Sequence, residues 1–349
     1  MFTSSSITGR RTPRGVGRIL TAAVAASVAL SLATTALAAP IGTLKQFKAP
    51  TANSQPRAIT NGSDGNRWFT EGTDFTSAPA ELVRVTPGGA MTVFAPGVAD
   101  GCNGCIIGDI AQGPGGVLYL TSNDPELMRF DVATQSFLPP VQMPNSNALG
   151  GDVAVSATDA WITDFNNDVV WRYRLANGQF TSSPVIDPAD VAVDTAGNAW
   201  FTEPGDVNAP GTSNIGRIDA TTGAVTLTPT TDGALTVAPH AITVAGGQVW
   251  FTARFTPQGV GRLNPATNAV TIFPTPANPG PEGIATAPDG SVWFTQTTAG
   301  NVARIDAAGT IVEGKAVKGS EPFGITVAAN GDPWYTMMFA NKVATLQLR

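Results

Sequence analysis

The chain has 349 residues, of which 13% are charged and 42% hydrophobic, with Gly 38 and Pro 27. That apolar share supports a core and excludes wholesale disorder, and the glycines keep no three-residue period, which excludes collagen. Lys+Arg 20 against Asp+Glu 26, with one His and two Cys, argues against wrapping nucleic acid and excludes a zinc finger or a His-rich metal cage.

Residues 1–38 read as an export signal. Arg10, Arg11, Arg14 and Arg18 form a positive start, Ile19 to Leu37 is uncharged and rich in Ala, Val and Leu, and Ala36-Leu37-Ala38 is an A-x-A cleavage pattern. A membrane anchor is the competing reading, since the stretch is long enough to span. Its Ser/Thr content and the lack of a stop-transfer pattern favour cleavage. Whether the signal is Sec or twin-arginine stays open. Residues 39–349 then form the mature domain, with Lys+Arg 16 and Asp+Glu 26. The expected location is outside the cell or in the cell envelope, with no membrane span after cleavage.

Leu44 to Pro50 is a short strand pattern ending in proline. After it one phrase recurs seven times: Trp68-Phe69-Thr70, Tyr119-Leu120-Thr121, Trp161-Ile162-Thr163, Trp200-Phe201-Thr202, Trp250-Phe251-Thr252, Trp293-Phe294-Thr295 and Trp334-Tyr335-Thr336. The spacing is 39 to 51 residues. Eight or nine residues before each stands Ile or Val in a first strand: Ile59, Ile110, Val153, Val191, Ile242, Ile284 and Ile325. Asp-Gly turns such as Asp64-Gly65 and Asp289-Gly290 separate the two, the chemistry of a tight hairpin. A third strand carries Arg84, Arg129, Arg172, Arg217, Arg262 or Arg304, with Thr345 in the last copy, and a fourth ends near Pro.

Four short strands per 39–51 residues predict an all-β, seven-bladed β-propeller of four-stranded blades. The seventh copy stops after its third strand, so Leu44–Pro50 is expected to supply the fourth and close the ring. The Trp rings are expected to pack between blades and the arginines to lie over the seams. Cys102 and Cys105, in the long connection before the second copy, are expected to form a local disulfide rather than a redox centre. Ile106 follows, which excludes a haem-attachment motif.

Ligand chemistry in a propeller belongs at the channel mouth. Two positions per unit point there. One precedes the first-strand Ile/Val by two residues and gives Arg57, His240, Glu282 and Phe323; the other follows the repeated phrase and gives Glu71, Asp164 and Glu203. Glu321 stands beside the last first strand, and Asp109, Asp152 and Asp190 precede the first-strand hydrophobic residue in three adjacent units. Such acids could gather around a hard cation or a cationic ligand, or could cap turns and pair with blade arginines.

The units Pro239-His240-Ala241-Ile242-Thr243…Trp250-Phe251-Thr252 and Pro281-Glu282-Gly283-Ile284…Trp293-Phe294-Thr295-Gln296 resemble the virginiamycin B lyase (streptogramin lyase) family. The resemblance implies a seven-bladed propeller that linearises a cyclic depsipeptide antibiotic by elimination, with magnesium and a His base. In the last blade the family reads E-P-H-G-I…W-F-A-M-E, whereas this chain reads Glu321-Pro322-Phe323-Gly324-Ile325…Trp334-Tyr335-Thr336-Met337-Met338. Glu321 is retained. Phe323 stands at the base position, Met338 at the second acid, Glu282 at the sixth-blade His and Arg57 at the first-blade Tyr. Phe abstracts no proton and Met is a poor ligand for a hard cation.

Two function classes remain. One is a monomeric, non-catalytic propeller that binds a small molecule, peptide or cell-envelope ligand. The other is a diverged lyase or hydrolase with Mg or Ca held by Glu282 and Glu321.

Overall fold

The computed structural model describes residues 41–348, apart from 73–77, 103, 149, 206–211, 232–235, 256 and 276–278. The expected export signal lies outside the described residues. Ala38–Arg349 forms one compact unit.

Seven four-stranded antiparallel sheets follow one another along the chain. The fifth blade is representative: Pro239–Ala245, Gln248–Ala253, Gly259–Asn264 and Ala269–Pro274, paired in that order. Among the described residues there is no α-helix, only the 3₁₀ turns Val98–Asp100 and Pro114–Gly116, and no helix is long and apolar enough to cross a membrane.

Ring closure follows the sequence expectation. Thr43–Lys48 pairs antiparallel with Lys342–Gln347, from Thr43 opposite Gln347 to Lys48 opposite Lys342. Its sheet runs through Pro333–Met337 to the innermost strand Pro322–Val327. The Phe47 ring stacks on Trp334 at 5.6 Å, so the closing strand also supplies apolar area.

Seven hydrophobic clusters fill the seams, each formed where the aromatic residue of one blade meets the next. Trp68 packs with Ile110, Leu118 and Phe130; Tyr119 with Val153 and Ile162; Trp161 with Val191 and Phe201; Trp200 with Ile242 and Phe251. Trp250 continues to Phe294, Trp293 to Ile325 and Tyr335, and Trp334 returns to Ile59 and Phe69. The repeated tryptophans are all buried, and burying one such ring stabilises by several kcal/mol, about 3–5 by truncation. The third-strand arginines cover these rings: Arg172 lies 4.9 Å from the Trp161 ring, Arg262 5.3 Å from Trp250 and Arg217 5.8 Å from Trp200. Their charges meet local partners, Arg172 on Asp159 at 2.8 Å and Arg304 on Asp289 at 2.6 Å. Cys102 and Cys105 are joined in a disulfide.

Candidate functional site

The threonine of the repeated phrase sets the geometry at the axis. In each blade its buried hydroxyl accepts a hydrogen bond from a backbone N–H of its own first strand, as Thr252 does from Ala241 at 3.0 Å. Six of the seven then donate to a first-strand carbonyl of the following blade. Thr121 donates to Gly151, Thr163 to Ala189, Thr202 to His240, Thr252 to Glu282, Thr295 to Phe323 and Thr336 to Arg57, at 2.6–3.0 Å. The acceptors are the positions two residues before the first-strand Ile/Val. The threonine hydroxyl is thus the clasp that fixes the mouth residues.

Bulges expose those residues. The first and second strands shift register between Ile107 and Ile110, Pro239 and Ile242, Pro281 and Ile284, and Pro322 and Ile325. The residues skipped by the ladder, including Asp109, His240, Glu282 and Phe323, line an axial cavity of about 650 Å³. A bulge of this kind re-aims side chains out of the ladder. Glycine is required beside them: a Cβ at Gly324 would lie 2.3 Å from the Arg57 carbonyl oxygen.

Five of the expected site residues meet around this cavity: Arg57, His240, Glu282, Glu321 and Phe323, with Asp109, Asp152, Asp190 and Met338. Glu71, Asp164 and Glu203 do not line it. They are buried one strand outward and act on loops: Asp164 accepts from Asn167 and the Trp171 indole, Glu203 from the Ile186 N–H and Asn214. Glu71 faces Glu81 across its strand pair; burial first, and the Glu81 charge after it, push its pKa up to about 7.

His240 Nε2 lies 2.9 Å from Glu282 Oε1, and Arg254 Nη1 lies 3.2 Å from Glu282 Oε2. Arg254 lines the cavity too, and sequence reading missed it because Ala253 occupies the position after the phrase. On blades one and seven, Arg57 lies over the Phe323 ring at 5.4 Å. On blades two to four, Asp109 Oδ2 accepts from Val153 N–H at 3.0 Å and Asp190 Oδ2 from Ile242 N–H at 2.7 Å. Burial raises all three aspartates, Asp109 to about 7 and Asp190 well above the ordinary range. Mutual repulsion adds to this at Asp109 and Asp190, while Arg57 and His240 oppose it at Asp152.

The donors do not fit the magnesium that the resemblance implies. Glu282 is engaged by His240 and Arg254, Met338 supplies no oxygen, and no three His, Cys, Asp or Glu side chains among the described residues are grouped as cation ligands.

Fold and site together define a seven-bladed propeller with a polar axial cavity at one mouth. The virginiamycin B lyase family matches residues 150–349, and the chain belongs to that family. A virginiamycin B lyase of Nocardia farcinica (strain IFM 10152) is 30% identical over 154 residues, 44% of this chain and 50% of that protein. The match therefore spans about half the length of that curated relative. A streptogramin B lyase structure superposes with a TM-score of 0.75 at 22% identity, covering 88% of this chain and 98% of the other. A catalytically inactive virginiamycin B lyase from Staphylococcus aureus, solved with quinupristin, gives 0.73 at 20% identity over 88% and 99%. At these identities the superpositions establish the fold.

Proposed function

We propose that this chain is an exported, monomeric propeller that binds a small-molecule, peptide or cell-envelope ligand at its channel mouth without the family's elimination chemistry. The observation that carries the reading is Phe323. It stands at the family's base position, lines the cavity and carries the Arg57 guanidinium over its ring, so no proton acceptor occupies that place. The basic start and A-x-A ending of residues 1–38 support export.

The test uses quinupristin, the compound bound in the staphylococcal structure. Calorimetry on the mature protein is expected to show quinupristin binding, read independently of turnover. Mass analysis after incubation with magnesium is expected to show no linear product above a protein-free control, since a missing positioned base alone usually costs about 10²–10⁴ in rate. Lyase-like turnover overturns the reading.

One observation favours a second reading. The His240–Glu282 pair faces the same cavity, and a carboxylate-held imidazole is the usual form of a general base. Slow product formation that disappears in His240→Gln, with quinupristin affinity retained, establishes that diverged enzyme.

A further inference from the structure

The mouth is chemically lopsided. Five carboxylates line the cavity (Asp109, Asp152, Asp190, Glu282 and Glu321), against two guanidiniums and one imidazole. Both guanidiniums are engaged, Arg57 over Phe323 and Arg254 on Glu282. The aspartates are not equivalent. Asp109 and Asp190 each hold a backbone N–H of a following blade, whereas among the described residues no hydrogen bond reaches the Asp152 carboxylate. The buried Glu282 Oε2 accepts no hydrogen bond either and meets only the half-exposed Arg254. Unsatisfied carboxylate oxygens in a recess call for a hydrogen-bonding cation.

The rim carries the complementary feature. Phe165, Phe255 and Phe339 are 51%, 58% and 55% exposed, and each lies just after the second strand of blade three, five or seven. The strand register places those loops at the cavity end of the blade: Pro239 pairs with Ala253, and Gly259 with Pro274. Exposed Val98 and Ile186 lie on connections at the same end. Among the described residues, the remaining exposed large hydrophobic side chains are Val93, Val225, Leu227 and Leu348. They sit on outer strands or at the C-terminal end, and none on the turns of the opposite face. Apolar exposure concentrated on one face marks a contact surface, and Phe339 joins it to the cavity.

We propose that the mouth selects an apolar organic amine, with its ammonium against Asp152 and its apolar body against Phe339 and Phe255. This deepens the binding reading and rests on it. A hard inorganic cation fits less well, because the ligand oxygens are not grouped for one and a metal ion leaves the phenylalanine rim unused. Cation binding here opposes protonation. Asp109 faces Asp152 and Arg57; Asp152 faces Arg57, His240 and Glu282; Asp190 faces Asp152 and Asp109. Asp109, pushed up to about 7, loses its proton as pH passes neutrality, so the negative charge of the cluster and its affinity for an amine rise from below to above pH 7.

The test compares phenylbutylamine with phenylbutanol and phenylbutyrate by calorimetry on the mature protein. The amine is expected to bind about tenfold more tightly than the alcohol, a difference of about 1.4 kcal/mol, and more tightly at pH 8 than at pH 6. Asp152→Asn is expected to remove the preference for the amine while leaving alcohol binding intact, and Phe339→Ala to weaken amine and alcohol alike. Equal affinity for amine and alcohol, a preference for the carboxylate, or an Asp152→Asn protein that still prefers the amine overturns the proposal. So does a complete lack of binding by all three. Quinupristin binding under those conditions leaves the general ligand-binding reading standing and isolates the failure to the choice of ligand class.

Discussion

Thr252 shows how much one hydroxyl decides. It accepts from Ala241 and donates to Glu282 of the next blade while fully buried. Valine keeps the shape and strands both backbone groups, and each orphaned buried group costs roughly 1–3 kcal/mol. Thr252→Val is therefore expected to lose about 2–4 kcal/mol in urea unfolding, and Thr252→Ser to restore most of it. Glu71 makes a pH argument at the same scale. Its folded pKa, about 7, stands above the ordinary glutamate value of 4.5 because of burial and Glu81. The protonated carboxyl is the form that the fold prefers. Its contribution is complete below pH 4.5 and is lost as pH rises to about 7. Melting at pH 5 and pH 8 checks this: Glu71→Gln is expected to be more stable relative to wild type at pH 8 than at pH 5. An unchanged difference between the two proteins refutes the assignment.

The decisive element is the first strand, whose bulge in blades two, five, six and seven turns ordinary strand residues into cavity lining. Its cost is close backbone approach at the axis. Gly324 meets the Arg57 carbonyl oxygen, and Gly283 would place a Cβ 2.5 Å from the Phe323 carbonyl oxygen. Backbone on both sides leaves no flexible side chain to yield. Gly324→Ala is expected to destabilise by about 1–3 kcal/mol, the usual cost of overpacking, and to weaken quinupristin or amine binding by displacing Arg57 and Phe323. A variant with wild-type unfolding and binding would show that the axis has room to relax. By contrast, a Cβ at Gly290 in the Asp289-Gly290 turn meets open space. Only its positive φ of 82° makes glycine the easy choice there.

For the whole molecule, closure is the vulnerable step. Thr43–Lys48 covers the edge of Lys342–Gln347. Nearby, Ala49 N–H donates to the Asn341 carbonyl, Asn341 Nδ2 donates to the Thr51 carbonyl, and Ile41 N–H donates to Glu313 in blade six. Removing residues 41–50 uncovers that strand edge and the Trp334 face. The truncated protein is expected to melt substantially lower and to form larger species in size-exclusion chromatography, since an open edge pairs with other chains. A monomeric protein with unchanged melting would disprove the closing role.

The repeat made the blade count, the strand order and the source of the last strand legible, because local periodicity and turn chemistry act within one 39–51-residue unit. The same reading located Arg57, His240, Glu282, Glu321, Phe323 and the three aspartates, which the structure gathers around the cavity. It grouped them with Glu71, Asp164 and Glu203 because one position per repeat looks equivalent in a list. Register shifts and inter-blade hydrogen bonds are properties of paired strands, so no single repeat reveals them. Tertiary structure alone therefore decided that the threonines clasp neighbouring blades and that Arg254 joins His240 and Glu282. It also decided which acids face the axis and which stay one strand outward, where packing and local hydrogen bonds hold them away from the mouth.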